Sequence, residues 1–153
     1  MLLRVTRRKA QRWKNAVTLV KTLHEQTVAY VALQTLRYLE RGGRISRTRA
    51  LLGTLLDVKP ILEVRDSQVL PVERVRTWRR VPARLLELVQ ARGAYQELSV
   101  VYTTNRVEAE SLADACAAAG LLARDRIRTV QIGAVLGTHM GPGALGITGL
   151  LNA

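Results

Sequence analysis

Short β-branched runs alternate with stretches of helical period along this chain, and that alternation limits the fold more than any other feature. Val28 to Leu33, Lys59 to Val64, Val69 to Arg76, Leu98 to Tyr102 and Arg126 to Ile132 read as strands. Asp66-Ser67-Gln68 is a turn signal that makes a hairpin of the second and third. Arg4 to Glu25 reads as one helix, with Trp13, Ala16, Val17, Val20 and Leu23 at helical spacing and Arg7, Arg8, Lys9, Arg12 and Lys14 opposite. Gln34 to Arg41 reads as a short helix closed by Gly42, and Ser46 is placed to cap a second helix over Arg47 to Leu56. Thr77 can cap a helix with an apolar stripe of Leu85, Leu86, Leu88 and Val89, Pro82 falling in its first turns. Asn105 caps an alanine-rich helix ending at Gly120. Strands alternating with helices predict an α/β fold, one mixed β-sheet flanked by helices. From Gly133 through Gly146 the chain has five glycines and one proline, and no element is read there.

Composition narrows the class. A chain of 153 residues that is 48% apolar can bury one core, and with no Phe that core must be Leu, Val, Ile and Ala. No apolar run reaches the ~18 residues of a membrane span, and the basic N-terminal stretch lacks a continuous apolar segment of signal-peptide type. The single Cys116 forms no internal disulfide and fits a reducing, cytoplasmic setting. Charge is lopsided: residues 1–50 carry twelve Lys/Arg against two Glu, residues 51–153 twelve against ten Asp/Glu. Such asymmetry suits an anionic partner (nucleic acid, membrane surface or acidic protein) and equally a solvated helix face.

Few residues have the chemistry of a site. Gly42-Gly43 gives the backbone turns that a Cβ forbids, and Arg44 follows directly on it. A guanidinium there is either a surface charge at a helix end or a fixed fork of donors for a carboxylate or phosphate. His139 lies among Gly137, Gly141 and Gly143, where a ligand or another backbone can come close; Thr138 is its neighbour. That run lacks the spacing of a nucleotide P-loop. Arg74, Arg76, Arg79 and Arg80 form a basic group beside Trp78, readable as a docking surface or as a solvated strand end, and the tryptophan as an interfacial anchor or an ordinary half-buried side chain. Two histidines and one cysteine offer no metal cluster and no catalytic set.

Three blocks carry a resemblance. Gly-Gly-Arg-Ile-Ser at 42–46 with Leu-Gly-Thr-Leu-Leu-Asp-Val-Lys-Pro-Ile-Leu at 52–62, Val-Glu-Arg-Val-Arg-Thr at 72–77, and Gly-Thr-His-Met-Gly-Pro-Gly-Ala-Leu-Gly at 137–146 resemble the DegV family of bacterial fatty-acid-binding proteins. The resemblance spans Thr27 to Ala153 and covers the family's second domain only; residues 1–26 then read as a basic helix left from the first domain. It implies a lipid-binding protein and not an enzyme. A long-chain fatty acid is its ligand, with no cofactor or metal, its tail in an apolar pocket and its carboxylate at Arg44 and His139. Thr138 is then a secondary head-group contact. It also implies that the complete protein presents the lipid to a separate fatty acid kinase for acyl-phosphate formation, on the way to phospholipid. Arg74 and Arg76 would dock the kinase or an anionic membrane, Arg76 matching the family's basic segment best. The hydroxyl groups that the family's first domain gives the head group have no counterpart in this sequence.

Two readings from other classes stay open. A basic nucleic-acid-associated protein would use the charge of the first third, although aromatics are 4% and no RNP, KH or helix-turn-helix pattern occurs. A structural, oligomerising fragment would expose a surface made for a domain it lacks.

Overall fold

The computed structural model describes residues 2–43 and 58–152, with side chains from Trp13 onward. The helix expected over Arg47 to Leu56, and its cap Ser46, lie outside the described residues. Helix α1 (Leu2–Gln26) leads into β1 (Thr27–Ala32) and the short α2 (Arg37–Arg41). The hairpin β2 (Lys59–Arg65) and β3 (Gln68–Val75) follows, then α3 (Val81–Gln90), β4 (Tyr95–Tyr102), α4 (Arg106–Ala118) and β5 (Ile127–Gln131). Helix α5 (Ala134–Met140) and β6 (Leu145–Leu151) close the described chain. The strands form one sheet in the order β3-β2-β1-β6-β4-β5. Only β4 and β5 are parallel, joined through α4; the other neighbours are antiparallel. The expected mixed sheet flanked by helices is what forms.

Strand β6, which was not read from the sequence, is a central strand. It pairs with β1 from Thr27↔Leu150 to Ala32↔Leu145 and with β4 on its other side. Glycine inside a strand weakens the usual pattern, and β6 holds two. A Cβ at Gly146 would lie 2.5 Å from the Tyr30 carbonyl oxygen, and one at Gly149 2.7 Å from the Tyr95 ring. Close approach of neighbouring strands therefore requires the same residues that hide the strand.

Other differences are local. The hairpin turn is sharper than a generic loop: Asp66 and Ser67 have φ of 52° and 58°, the left-handed pair that suits tightly twisted strands. Strand β3 ends at Val75 and not at Arg76, so Arg74 and Arg76 do not continue one strand face. Thr77 makes no side-chain cap; a 3-10 turn over Trp78–Arg80 intervenes before α3, which carries Pro82 in its first turn as expected. Asn105 does cap α4, its Oδ1 accepting from the Glu108 amide at 3.3 Å.

Alternation along the strands sorts the side chains. Val28, Ile61, Leu98 and Ile147 face α3 and α4, where they meet Leu85 and Leu112; all six are buried. Burial of each such side chain is worth roughly 1.5–3 kcal/mol. Cys116 on α4 is in this core, and burial pushes its thiol up to about 11, so it is an inert packing residue. The edge strand β5 is tied to α4 by polar groups. Arg124 donates to Glu110 and Asp114 and, at 3.0 Å, to the Ile127 carbonyl, while Thr129 Oγ1 donates to Glu110 at 3.0 Å. The Thr129 hydroxyl first, and then Arg124 and Arg106, hold the Glu110 carboxyl below its ordinary 4.5. A depressed carboxyl stabilises the fold above its unfolded value, and that contribution is lost as pH falls through the folded one. Urea midpoints should therefore drop more steeply for the wild type than for Glu110→Gln between about pH 5 and pH 3; parallel curves would contradict the role of this network.

The opposite face is covered less fully. Val31, Leu33 and Leu62 meet Leu36, Leu39 and Ala144 in a second, smaller cluster. Beyond it Ala29, Val101 and Thr148 are half-buried and Val64 is exposed. Helix α1 also has an open face: Trp13, Val17 and Val20 are 72%, 52% and 64% exposed. No helix among the described residues is long and apolar enough to cross a membrane.

Candidate functional site

At the rim where β1 ends and β6 begins, two short helices lock together. Gly42 ends α2, its amide donating to the Tyr38 carbonyl at 3.0 Å. Gly43 has φ +68°, so it, and not Gly42, makes the left-handed turn. Helix α5 brings its last turn against this point. A Cβ on Gly42 would lie 2.1 Å from His139 Nδ1, and one on Gly141 2.2 Å from the Tyr38 ring. Each helix thus offers a ring and a glycine notch to the other. Gly141, at φ +73° and ψ 177°, occupies backbone space open essentially to glycine alone.

Hydroxyl groups at the end of β4 pin the loop that follows. Thr104 Oγ1 accepts from the Gly143 amide and Thr103 Oγ1 from the Ala144 amide, both at 2.9 Å. The Gln34 side chain lies over Gly143, and Lys59 donates to the Gln34 carbonyl at 3.3 Å. Tyr38, Gln34, Thr103 and Thr104 were not singled out in the sequence. Adjacent threonines closing a β-branched run are the one signal that could have found the Thr103-Thr104 pair.

His139 is half-buried; its Nδ1 is enclosed and has no hydrogen-bond partner among the described residues. Arg44 lies outside the described residues, but the Gly42-Gly43 turn that leads into it is where His139 rests. The exposed Thr138 hydroxyl donates to the Val135 carbonyl at 2.7 Å and is thus engaged within α5. Arg74 and Arg76 are both exposed. Strand directions put them at the same edge of the sheet as His139, with Arg74 opposite Pro60 at the start of β2. Trp78 is half-buried and donates to Glu108 at 2.7 Å, which joins this basic turn to α4 and makes the tryptophan a packing residue and not a free anchor. No group of three or more His, Cys, Asp or Glu among the described residues could hold a metal ion.

The arrangement is a rim site on an α/β sheet: one imidazole set on a glycine turn, above a sheet face with aliphatic side chains left partly open. Comparison with known proteins gives the family. The family described as "Uncharacterised protein, DegV family" matches residues 6–151. A DegV domain-containing protein of Streptomyces coelicolor is 38% identical over 140 residues, which are 86% of this chain and 47% of the relative. The chain belongs to the DegV family. Among solved structures, a fatty acid binding DegV family protein from Streptococcus agalactiae is 29% identical with a TM-score of 0.79, over 90% of this chain and 49% of that one. A DegV family protein from Thermus thermophilus, described by its fatty acid binding, is 25% identical with a TM-score of 0.80, over 91% and 50%. The chain spans about half the length of the relatives it matches.

Proposed function

We propose that this chain binds a long-chain fatty acid, with the carboxylate at His139 and Arg44 and the tail along the open sheet face. The observation that carries the reading is the seat of His139: its ring rests on the glycine turn that runs directly into Arg44. An always-charged guanidinium and an imidazole donor are complementary to one carboxylate. Ala29, Val101 and Thr148 on that face are half-buried, and the tail would lie over them. Each CH₂ buried there gains ~0.8 kcal/mol, so the tail supplies affinity and the head group supplies position. Relatives described as fatty acid binding support the same ligand.

The protein is then a carrier and not an enzyme, in a bacterial cytoplasm. The complete protein presents the lipid head to a separate fatty acid kinase, with Arg74 and Arg76 on the same rim as the docking cations for that kinase or for an anionic membrane surface. Thr138 reaches the head group only by giving up its bond to Val135. In the complete protein the bare stripe of Trp13, Val17 and Val20 on helix α1 is a surface that a further domain covers. Denaturing mass spectrometry of purified protein is expected to release a fatty acid of roughly 14–18 carbons, a tail long enough to bind through apolar contact alone. Uptake should change little with salt, whereas nucleic-acid binding would weaken steeply. A protein that carries no fatty acid and takes none up on incubation overturns the reading.

A further inference from the structure

We propose that Gly42 fixes the tautomer of His139, keeping the single proton of the neutral ring on Nε2 so that the ring meets its ligand as a donor. The proposal rests on the fatty-acid reading only for what that proton meets; the tautomer itself is a property of the chain. Gly42 has φ −79° and ψ −1°, a conformation any residue adopts, so no turn explains a glycine here. Space explains it. The imidazole edge lies against the Gly42 backbone, with Nδ1 2.1 Å and Cε1 2.6 Å from where a Cβ would stand. A glycine hydrogen stands there instead, and it points at Nδ1.

That contact distinguishes the two tautomers. Nδ1 is enclosed and without a hydrogen-bond partner among the described residues. A proton on it would be a buried donor with no acceptor, pressed against a C–H that is itself weakly positive. A lone pair on Nδ1 meets the same C–H favourably. A neutral imidazole has one donor nitrogen only, so the choice made at Nδ1 decides what Nε2 presents. With the proton on Nε2 the ring donates to a carboxylate oxygen; with a lone pair there it would repel the same oxygen. Gly42 is thus a positioning residue, acting on the ligand through His139.

Nitrogen-15 spectra of the histidine side chains of the full chain test this at about pH 9, where an ordinary imidazole is neutral. His24→Gln assigns the second histidine. The expected result is one fixed pattern for His139, with Nε2 protonated and Nδ1 bare. Protonated Nδ1, or a pattern averaged between tautomers, overturns the proposal. Gly42→Ala should abolish the fixed pattern and weaken fatty-acid uptake about tenfold, the worth of one lost charge-assisted hydrogen bond. Gly137→Ala, where a Cβ meets nothing within 4 Å, should change neither. If Gly42→Ala does not fold, side-chain mimics decide: His139→Gln keeps a donor near the Nε2 position and should bind about tenfold more tightly than His139→Asn, whose amide sits near Nδ1. The reverse order overturns the proposal. A fixed Nε2 proton in a protein that takes up no fatty acid supports the tautomer and contradicts the carrier function.

Discussion

Gly141→Ala is expected to destabilise the protein by about 3 kcal/mol or more, a large effect for a single added methyl group. Two costs coincide. At φ +73° and ψ 177° the backbone occupies a region nearly closed to L-residues, which costs about 1–3 kcal/mol. The new Cβ would also stand 2.2 Å from the Tyr38 ring, and forcing a ring out of a packed contact costs typically about 1–3 kcal/mol. The displaced ring belongs to α2, so the damage falls on the contact that places His139 beside Gly42. Urea unfolding of Gly141→Ala beside Gly137→Ala separates site-specific strain from the general effect of alanine. Gly137 lies inside α5 with open space around it, and alanine there should be neutral or stabilising by up to about 1 kcal/mol. Equal stability of the two variants would contradict the interlocked notches.

The second large effect concerns the ligand. Arg44→Ala and His139→Ala should each weaken fatty-acid uptake by about ten- to a hundredfold, the worth of a hydrogen bond to a charged group. The double variant should lose less than the product if, as proposed, both groups hold one carboxylate and act as a unit. Arg44→Lys should recover only part of the loss, because a point charge lacks the fork that matches two carboxylate oxygens. Titration with a fluorescent acyl probe, alongside unfolding curves to exclude global damage, measures each variant. Unchanged affinity in both single variants would remove the head-group assignment.

The sequence was a good guide wherever periodicity and capping agree. Helix α1, strand β1, the β2–β3 hairpin and the Asn105 cap of α4 are each written in residues whose local preference matches their tertiary setting. It failed where packing overrides preference. The glycine-rich run through Gly146 carries no strand signal, yet Gly146 and Gly149 let the central strand β6 lie close to its neighbours, which periodicity does not encode. Helix α5 was missed for a similar reason, since Gly137 lies inside it and Gly141 and Pro142 follow directly on its end. For the site, the glycine-flanked His139 and the Gly-Gly turn were legible as residues of interest. Their contact was not legible from periodicity or capping, because about a hundred residues of chain separate them and only the antiparallel pairing of β1 with β6 brings α2 and α5 to one rim. Tyr38 carried no local signal, and the Thr103-Thr104 pair only its place at the end of a β-branched run, because their roles are to hold the loop and the opposite helix, roles set by the fold.

The most direct test is a crystal structure of the protein incubated with a saturated long-chain fatty acid. The carboxylate should lie within hydrogen-bond distance of both His139 Nε2 and the Arg44 guanidinium, with the tail running from that corner along the sheet face that carries Val101. A tail seated on the α3–α4 side, or a carboxylate remote from the Gly42-Gly43 turn, would contradict the proposed site. No acyl density at saturating ligand would contradict the carrier itself.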